Sequence, residues 1–341
     1  MPKNKSYNFW FVVLCILLII CFLANISLGS VTIPTDEVFK SLIGNIDNES
    51  WHYIIHNYRL PKAFTAILVG SGLGISGLLM QTLFRNPLAG PFVLGISSGA
   101  SLGVAMVILG AGLFGSLAAL LVSKWTLVLA ASFGSFLVLL SVLAVATKVR
   151  DSMAILIIGL MFGSITAAVV SVLSYFSSAQ KLQQYIFWGF GSLGNLSWHE
   201  LTIFFIIYLF GIFLSILSVK ALDTLLLGEN YAKSLGLNIK KSRLIIILAT
   251  SLLAGTITAF SGPIAFIGLA IPHMVRQIFI TSNHRILLPA VFIFGAIVML
   301  VCDIIAQLPS IDYTLPINAI TSLIGAPVVI WLLVRKRKMI F

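Results

Sequence analysis

Charge is what this 341-residue sequence has least of: Asp, Glu, Lys and Arg make up 9% of it, where a soluble domain carries roughly 25%. With 59% hydrophobic residues and a mean hydropathy of +1.09, too little polar surface remains to cover a core, which excludes a water-soluble enzyme. Disorder is excluded as well, because it requires low hydrophobicity and dense charge. Acids are scarcer than bases, 10 against 21. Asp303 stands well inside an apolar run, with Gln307 one helical turn on. An acid in a membrane is a functional candidate, but this one, near the outer end of its span, reads as a hydrogen-bond partner of Gln307 or as a group reaching interfacial water. Proton coupling would call for several buried acids, or an acid with a basic partner. Cysteine is nearly missing too. Cys15, Cys21 and Cys302 lie in apolar runs, an odd count that excludes a disulfide framework and gives no metal spacing. No H-E-x-x-H, ligand cluster or embedded acid pair is present, so no enzyme constellation and no metal site is expected. His273 and Arg276, spaced i, i+3, read as a packing pair.

What is present is a series of long, unbroken apolar runs without the short alternation of a β-barrel. At 1.5 Å per residue, about 20 residues cross the hydrocarbon. Ten candidate spans follow: 9–29, 63–83, 91–113, 125–146, 152–176, 198–219, 244–262, 264–281, 286–308 and 316–334. The first is too long for the apolar core of a signal peptide and lacks an A-x-A-like site. The eighth is interrupted by Pro272, His273 and Arg276. The expected fold is all-α, a polytopic membrane protein forming a single transmembrane domain over 1–341.

Ten spans put both termini on one side. With that side inside, 16 of the 21 Lys and Arg residues are cytoplasmic and 5 are outside, so positive-inside bias predicts cytoplasmic termini in a multi-pass protein of the cell membrane. The net charge of +11 is then topological, and a nucleic-acid partner is not expected. The basic C-terminal cluster suits anionic lipid. Residues 30–62 form an outer loop carrying Asp36, Glu37, Asp47 and Glu49, and residues 220–243 form a cytoplasmic loop. Neither loop has room for a soluble domain, so an ion gradient or another subunit must supply energy.

Gly90-Pro91 leading to Leu94-Gly95, and Gly262-Pro263 leading to Ile267-Gly268, enter from opposite sides and suggest an inverted repeat. Span 2 holds Gly70, Gly72, Gly74, Ser76 and Gly77; span 3 holds Gly95, Ser97, Ser98, Gly99, Ala100 and Gly103. Such residues permit close helix approach, and they also suit a pathway wall; both readings stand. In the cytoplasmic loop, Leu225, Leu226, Leu227, Tyr231, Ala232 and Leu235 form an apolar strip that Gly228 and Gly236 divide into two short helices. It reads as an interfacial helix or as a docking surface for a soluble partner. Arg59 and Lys62, spaced i, i+3 at the mouth of span 2, form an outer basic pair expected to face lipid headgroups or an acidic partner.

Several of these runs resemble one family. Arg59-Leu-Pro-Lys62, Gln81 through Asn86-Pro87 to Ala100, Gly228-Glu229 through Ala232 to Leu235-Gly236-Leu237, Phe266 through Pro272-His273 to Arg276, His284-Arg285 with Leu287-Leu288-Pro289, and Leu315-Pro316-Ile317 through Gly325-Ala326-Pro327 are similar to signatures of the FecCD family. They occur in the same order from about residue 55 onward. Members are permease subunits of ABC importers for ferric siderophores, haem and vitamin B12.

The resemblance implies the ABC type II importer permease fold, alternating access, and a homodimer with its pathway at the dimer axis. Two cytoplasmic ATPase subunits would grip the coupling loop at Leu225, Gly228, Glu229, Ala232, Leu235, Gly236 and Leu237. ATP and Mg would belong to those subunits, with no cofactor in this chain. An extracytoplasmic substrate-binding protein would dock at Arg59, Lys62 and Gln307. Lys62 stands where arginine is usual, and Gln307 where a vitamin B12 permease carries a further docking arginine beside the aspartate matched by Asp303. The inner gate would fall at Asp151, Ser152 and Met153, with Ser97 and Ser98 on the pathway. No His, Met or Cys cluster lines a candidate path, so a preassembled chelate is the expected cargo: an iron-siderophore or haem first, cobalamin second. A proton-coupled secondary transporter is the alternative class.

Overall fold

The computed structural model describes residues 4–29, 31–44, 48–110, 123–146, 152–307 and 313–334. Every regular element among them is helical, as a bilayer demands of a chain that must satisfy its backbone internally. Among the described residues, seven helices are long and apolar enough to span a membrane. They include α1 (Asn4–Ser27), α4 (Leu60–Leu83), α6 (Lys124–Ala146), α7 (Ser152–Tyr175), α9 (Trp198–Leu217), α12 (Ile239–Ser261) and α14 (His284–Ala306). Between α1 and α4 lie α2 (Thr35–Ile43), α3 (Glu49–Ile54) and a π-helical turn, Ile55–Arg59. After α7 comes α8 (Ala179–Gly189), which buries none of its residues.

The three remaining expected spans are shorter helices. A 3₁₀ turn at Pro91–Leu94 precedes α5 (Ile96–Ile108), which starts at Gly95 with φ +75°. An open segment after Gly262 precedes α13 (Ile267–Ile278), which starts at Phe266 with φ +64°. Both breaks fall at the Gly-Pro pairs of the suspected repeat: proline donates no hydrogen bond and glycine reaches left-handed φ cheaply. The third is α15 (Ile317–Val334), which contains Pro327. The break before α13 is held by α15. The Ala265 amide donates to Asn318 Oδ1 at 2.9 Å, and Phe266 lies where a Cβ on Gly325 would fall, 2.5 Å away.

The chain divides into two compact units, 1–78 with 192–206 and 265–341, and 79–191 with 207–264. In the first, α1 runs along α14, and α13, α14 and α15 pack on one another. Its helices touch through glycine: a Cβ on Gly70 would lie 2.1 Å from the Gly295 carbonyl oxygen, and one on Gly77 1.5 Å from that of Gly268. The second unit is built on α5 against α6, where Gly99 meets Gly134 and Gly103 meets Ala130 with similar intimacy. The packing reading of these glycines therefore holds at Gly70, Gly77, Gly99 and Gly103. Small residues replace the hydrophobic drive that lipid does not supply.

Candidate functional site

Two polar places stand out in this apolar molecule. The first joins the start of α4 to the end of α14. Lys62 Nζ lies 3.1 Å from Asp303 Oδ1, with the two side chains 21% and 3% exposed. Asp303 Oδ2 accepts from Gln307 Nε2 at 2.7 Å and from Asn25 Nδ2 at 2.9 Å. The carboxylate thus has three donors, as a buried charge needs. The expected Asp303–Gln307 bond is present. The basic partner and Asn25 come in addition, from positions far away in sequence.

Beside this cluster Arg59 is turned inward. Its guanidinium donates to the carbonyls of Ile26 (2.6 Å), Ser27 (2.8 Å) and Val31. A cation there satisfies orphan carbonyls at the C-terminal end of α1 and suits its dipole. The outward basic pair expected of Arg59 and Lys62 is thereby separated, because each cation has acceptors inside its own chain. Arg59 is the last residue of a π turn, Ile55–Arg59, and its side chain is drawn to the carbonyls at the end of α1.

The second place is the loop after α9. It folds into α10 (Val219–Leu225) and α11 (Glu229–Ser234), two short helices divided at Gly228 as the sequence suggested. The apolar strip splits by depth. Leu222, Leu225 and Ala232 are buried, while Leu227, Tyr231 and Leu235 are 60%, 57% and 60% exposed. Tyr231 lies in α11 and Leu235 follows it one helical turn on, while Leu227 precedes the break at Gly228. Among the coupling residues, Leu225 and Ala232 anchor the loop, and Leu235 faces out. Leu227 and Tyr231, part of the strip but not singled out, complete the outward face. Glu229 pairs with Arg243 at 2.9 Å, tying α11 to the start of α12. Gly236 closes α11: its amide bonds the Lys233 carbonyl, and the Leu237 amide bonds that of Ala232. This is a Schellman end, with φ +84° at Gly236.

Of the pathway candidates, Ser97 and Ser98 are half-buried in the first turn of α5, and Ser98 packs on α7 at Gly163. Asp151 lies outside the described residues. Ser152 and Met153 open α7, and their side chains are likewise outside what is described.

A family model for the FecCD transport family matches residues 17–335. The chain belongs to that family. It is a membrane-spanning ABC permease, with the all-helical fold expected of one. The hemin transport system permease protein HmuU of Yersinia pestis is 35% identical over 326 residues, 95% of either chain. The vitamin B12 import system permease protein BtuC of Klebsiella pneumoniae is 37% identical over 337 residues, 98% of this chain and 96% of that one. A solved structure described as an inward-facing metal-chelate type ABC transporter superposes with a TM-score of 0.81 at 32% identity, covering 97% of this chain and 100% of that one.

Proposed function

We propose that this permease carries an iron chelate, a siderophore complex or haem, into the cell by alternating access, driven by ATP hydrolysis on a separate subunit. The observation that carries the coupling half is the exposure of Leu227, Tyr231 and Leu235 on a loop whose own interior is already filled. Large apolar side chains exposed on a polar loop suit a protein groove. Two ATP-binding-cassette ATPase subunits would take one loop each from a homodimer, with ATP and Mg held by those subunits. A substrate-binding protein would dock outside, meeting Lys62 as the most exposed of the three docking candidates. The termini and the 220–243 loop would be cytoplasmic.

Cobalamin is the second cargo, favoured by the likeness to BtuC. A proton-coupled mechanism gains a basic partner for Asp303. However, that pair sits in the first turn of α4 and the last turn of α14, away from mid-depth, where a coupling ion would have to cross. The test is uptake into proteoliposomes holding the assembled complex, with labelled ferric siderophore, haem and cobalamin supplied in turn. ATP-dependent uptake of an iron chelate is expected. Uptake driven by an imposed proton gradient without ATP would overturn the reading.

A further inference from the structure

The loop after α4 contains an arginine where the backbone asks for glycine. The Arg85 amide donates to the Thr82 carbonyl (3.2 Å), and the Asn86 amide to that of Gln81 (3.1 Å). These two bonds define a Schellman end with Arg85 at the left-handed position, φ +47°. Gly236, at the same position of the α11 end, is the residue type that conformation favours. A non-glycine residue held at positive φ points to a use for its side chain.

The Arg85 side chain reaches the coupling loop. Its Nη1 lies 3.6 Å from where a Cβ on Gly228 would stand. Gly228 itself, at φ 100° and ψ 150°, occupies backbone space that is essentially glycine's alone. The guanidinium therefore lies against the turn between α10 and α11 at Gly228, the residue that follows the exposed Leu227 in sequence. Arg85 is exposed, and among the described residues its side chain makes no hydrogen bond or ion pair. The nearby acid Glu229 is held by Arg243.

We infer that Arg85 extends the ATPase docking surface beyond the 220–243 loop, and that its guanidinium receives a carboxylate of the ATPase subunit. This rests on the proposed coupling role of that loop. A planar guanidinium suits bidentate carboxylate recognition. Lipid headgroups would need neither a fixed backbone nor contact with the Gly228 turn, so the protein partner is favoured.

The test uses the full-length permease with its co-expressed ATPase subunit in nanodiscs. It measures ATPase-subunit affinity against salt, and thermal stability of the permease alone. Arg85→Gly removes the guanidinium while suiting the left-handed position. It should keep or raise thermal stability, yet weaken ATPase binding about two- to five-fold at low salt, with the difference fading at high salt. Arg85→Glu should weaken it further, and a charge reversal on the contacting ATPase acid should restore it. If both variants bind the ATPase as the wild type does, at every salt concentration, this inference fails while the coupling role stands. If Arg85→Gly changes only permease binding to anionic vesicles, the contact is a headgroup and the inference is overturned. If the wild-type permease retains no ATPase subunit, the coupling reading itself falls.

Discussion

At the scale of single residues, the Lys62–Asp303 pair is the sharpest case. Asp303 is the more buried partner, 3% exposed against 21%, so removing each partner has unequal consequences. Lys62→Met strands a carboxylate that Gln307 and Asn25 satisfy only in part. Asp303→Asn leaves a lysine that can extend toward water. Lys62→Met should therefore cost more, about 3 kcal/mol, than Asp303→Asn, about 1–2 kcal/mol. The double variant Lys62→Met with Asp303→Leu should lose less than the sum of the two single losses. Thermal melting of purified permease in detergent checks this. Equal losses for the two single variants would mean that the lysine, too, has no route to water. Gly236 gives a second case. A Cβ there meets nothing within 4 Å, yet φ is +84°, so strain rather than collision limits substitution. Gly236→Val should abolish uptake while the protein still inserts, and Gly236→Asn, which tolerates left-handed backbone, should keep most of it. Transport measured in reconstituted vesicles distinguishes them, and full activity in Gly236→Val would remove this turn from the coupling argument.

At the scale of helices, the glycine contacts set a rank order. A Cβ on Gly77 would fall 1.5 Å from a backbone oxygen of α13, whereas one on Gly74 would meet side chains of Val291 and Ile271 at 3.0 and 3.1 Å. Side-chain ends can move; the α13 backbone cannot without displacing the helix. Gly77→Ala should therefore sharply reduce folded protein in size-exclusion profiles, and Gly74→Ala should be mild. The long helices were legible beforehand because about 20 consecutive apolar residues admit few other structures in lipid. The two Gly-Pro breaks were legible as pattern, but the length of the helices after them was not, because apolar composition continues on both sides of each break. Arg59 illustrates a different limit. Its inward turn is met by the carbonyls of Ile26, Ser27 and Val31, 28 to 33 positions away, and hydrophobic spacing carries no mark of them. The Asn25–Asp303 bond links residues 278 positions apart, so no local pattern could report it. The coupling loop was legible in outline from Gly228 and Gly236. Which of its leucines face outward depended on burial against neighbouring helices.

At the scale of the whole molecule, several contacts join segments that the expected topology puts at one face. Tyr7, expected inside, bonds the carbonyl of Ile280, at the expected inner end of span 264–281. Lys62 meets Asp303, and the Trp198 indole donates to the His56 carbonyl at 2.8 Å; Lys62 and His56 belong to the expected outer loop, Asp303 and Trp198 to the expected outer ends of their spans. Arg85 meets the 220–243 loop at Gly228, and the basic-residue bias predicts that this loop is cytoplasmic. Two exposed serines test that orientation: Ser50 in α3 and Ser234 at the end of α11. In a background with Cys15, Cys21 and Cys302 replaced by alanine, Ser50→Cys should react with an impermeant maleimide on intact cells, and Ser234→Cys only after permeabilisation. Labelling of Ser234→Cys from outside would reverse the orientation, and would remove with it any access of a cytoplasmic ATPase to the exposed Leu227, Tyr231 and Leu235.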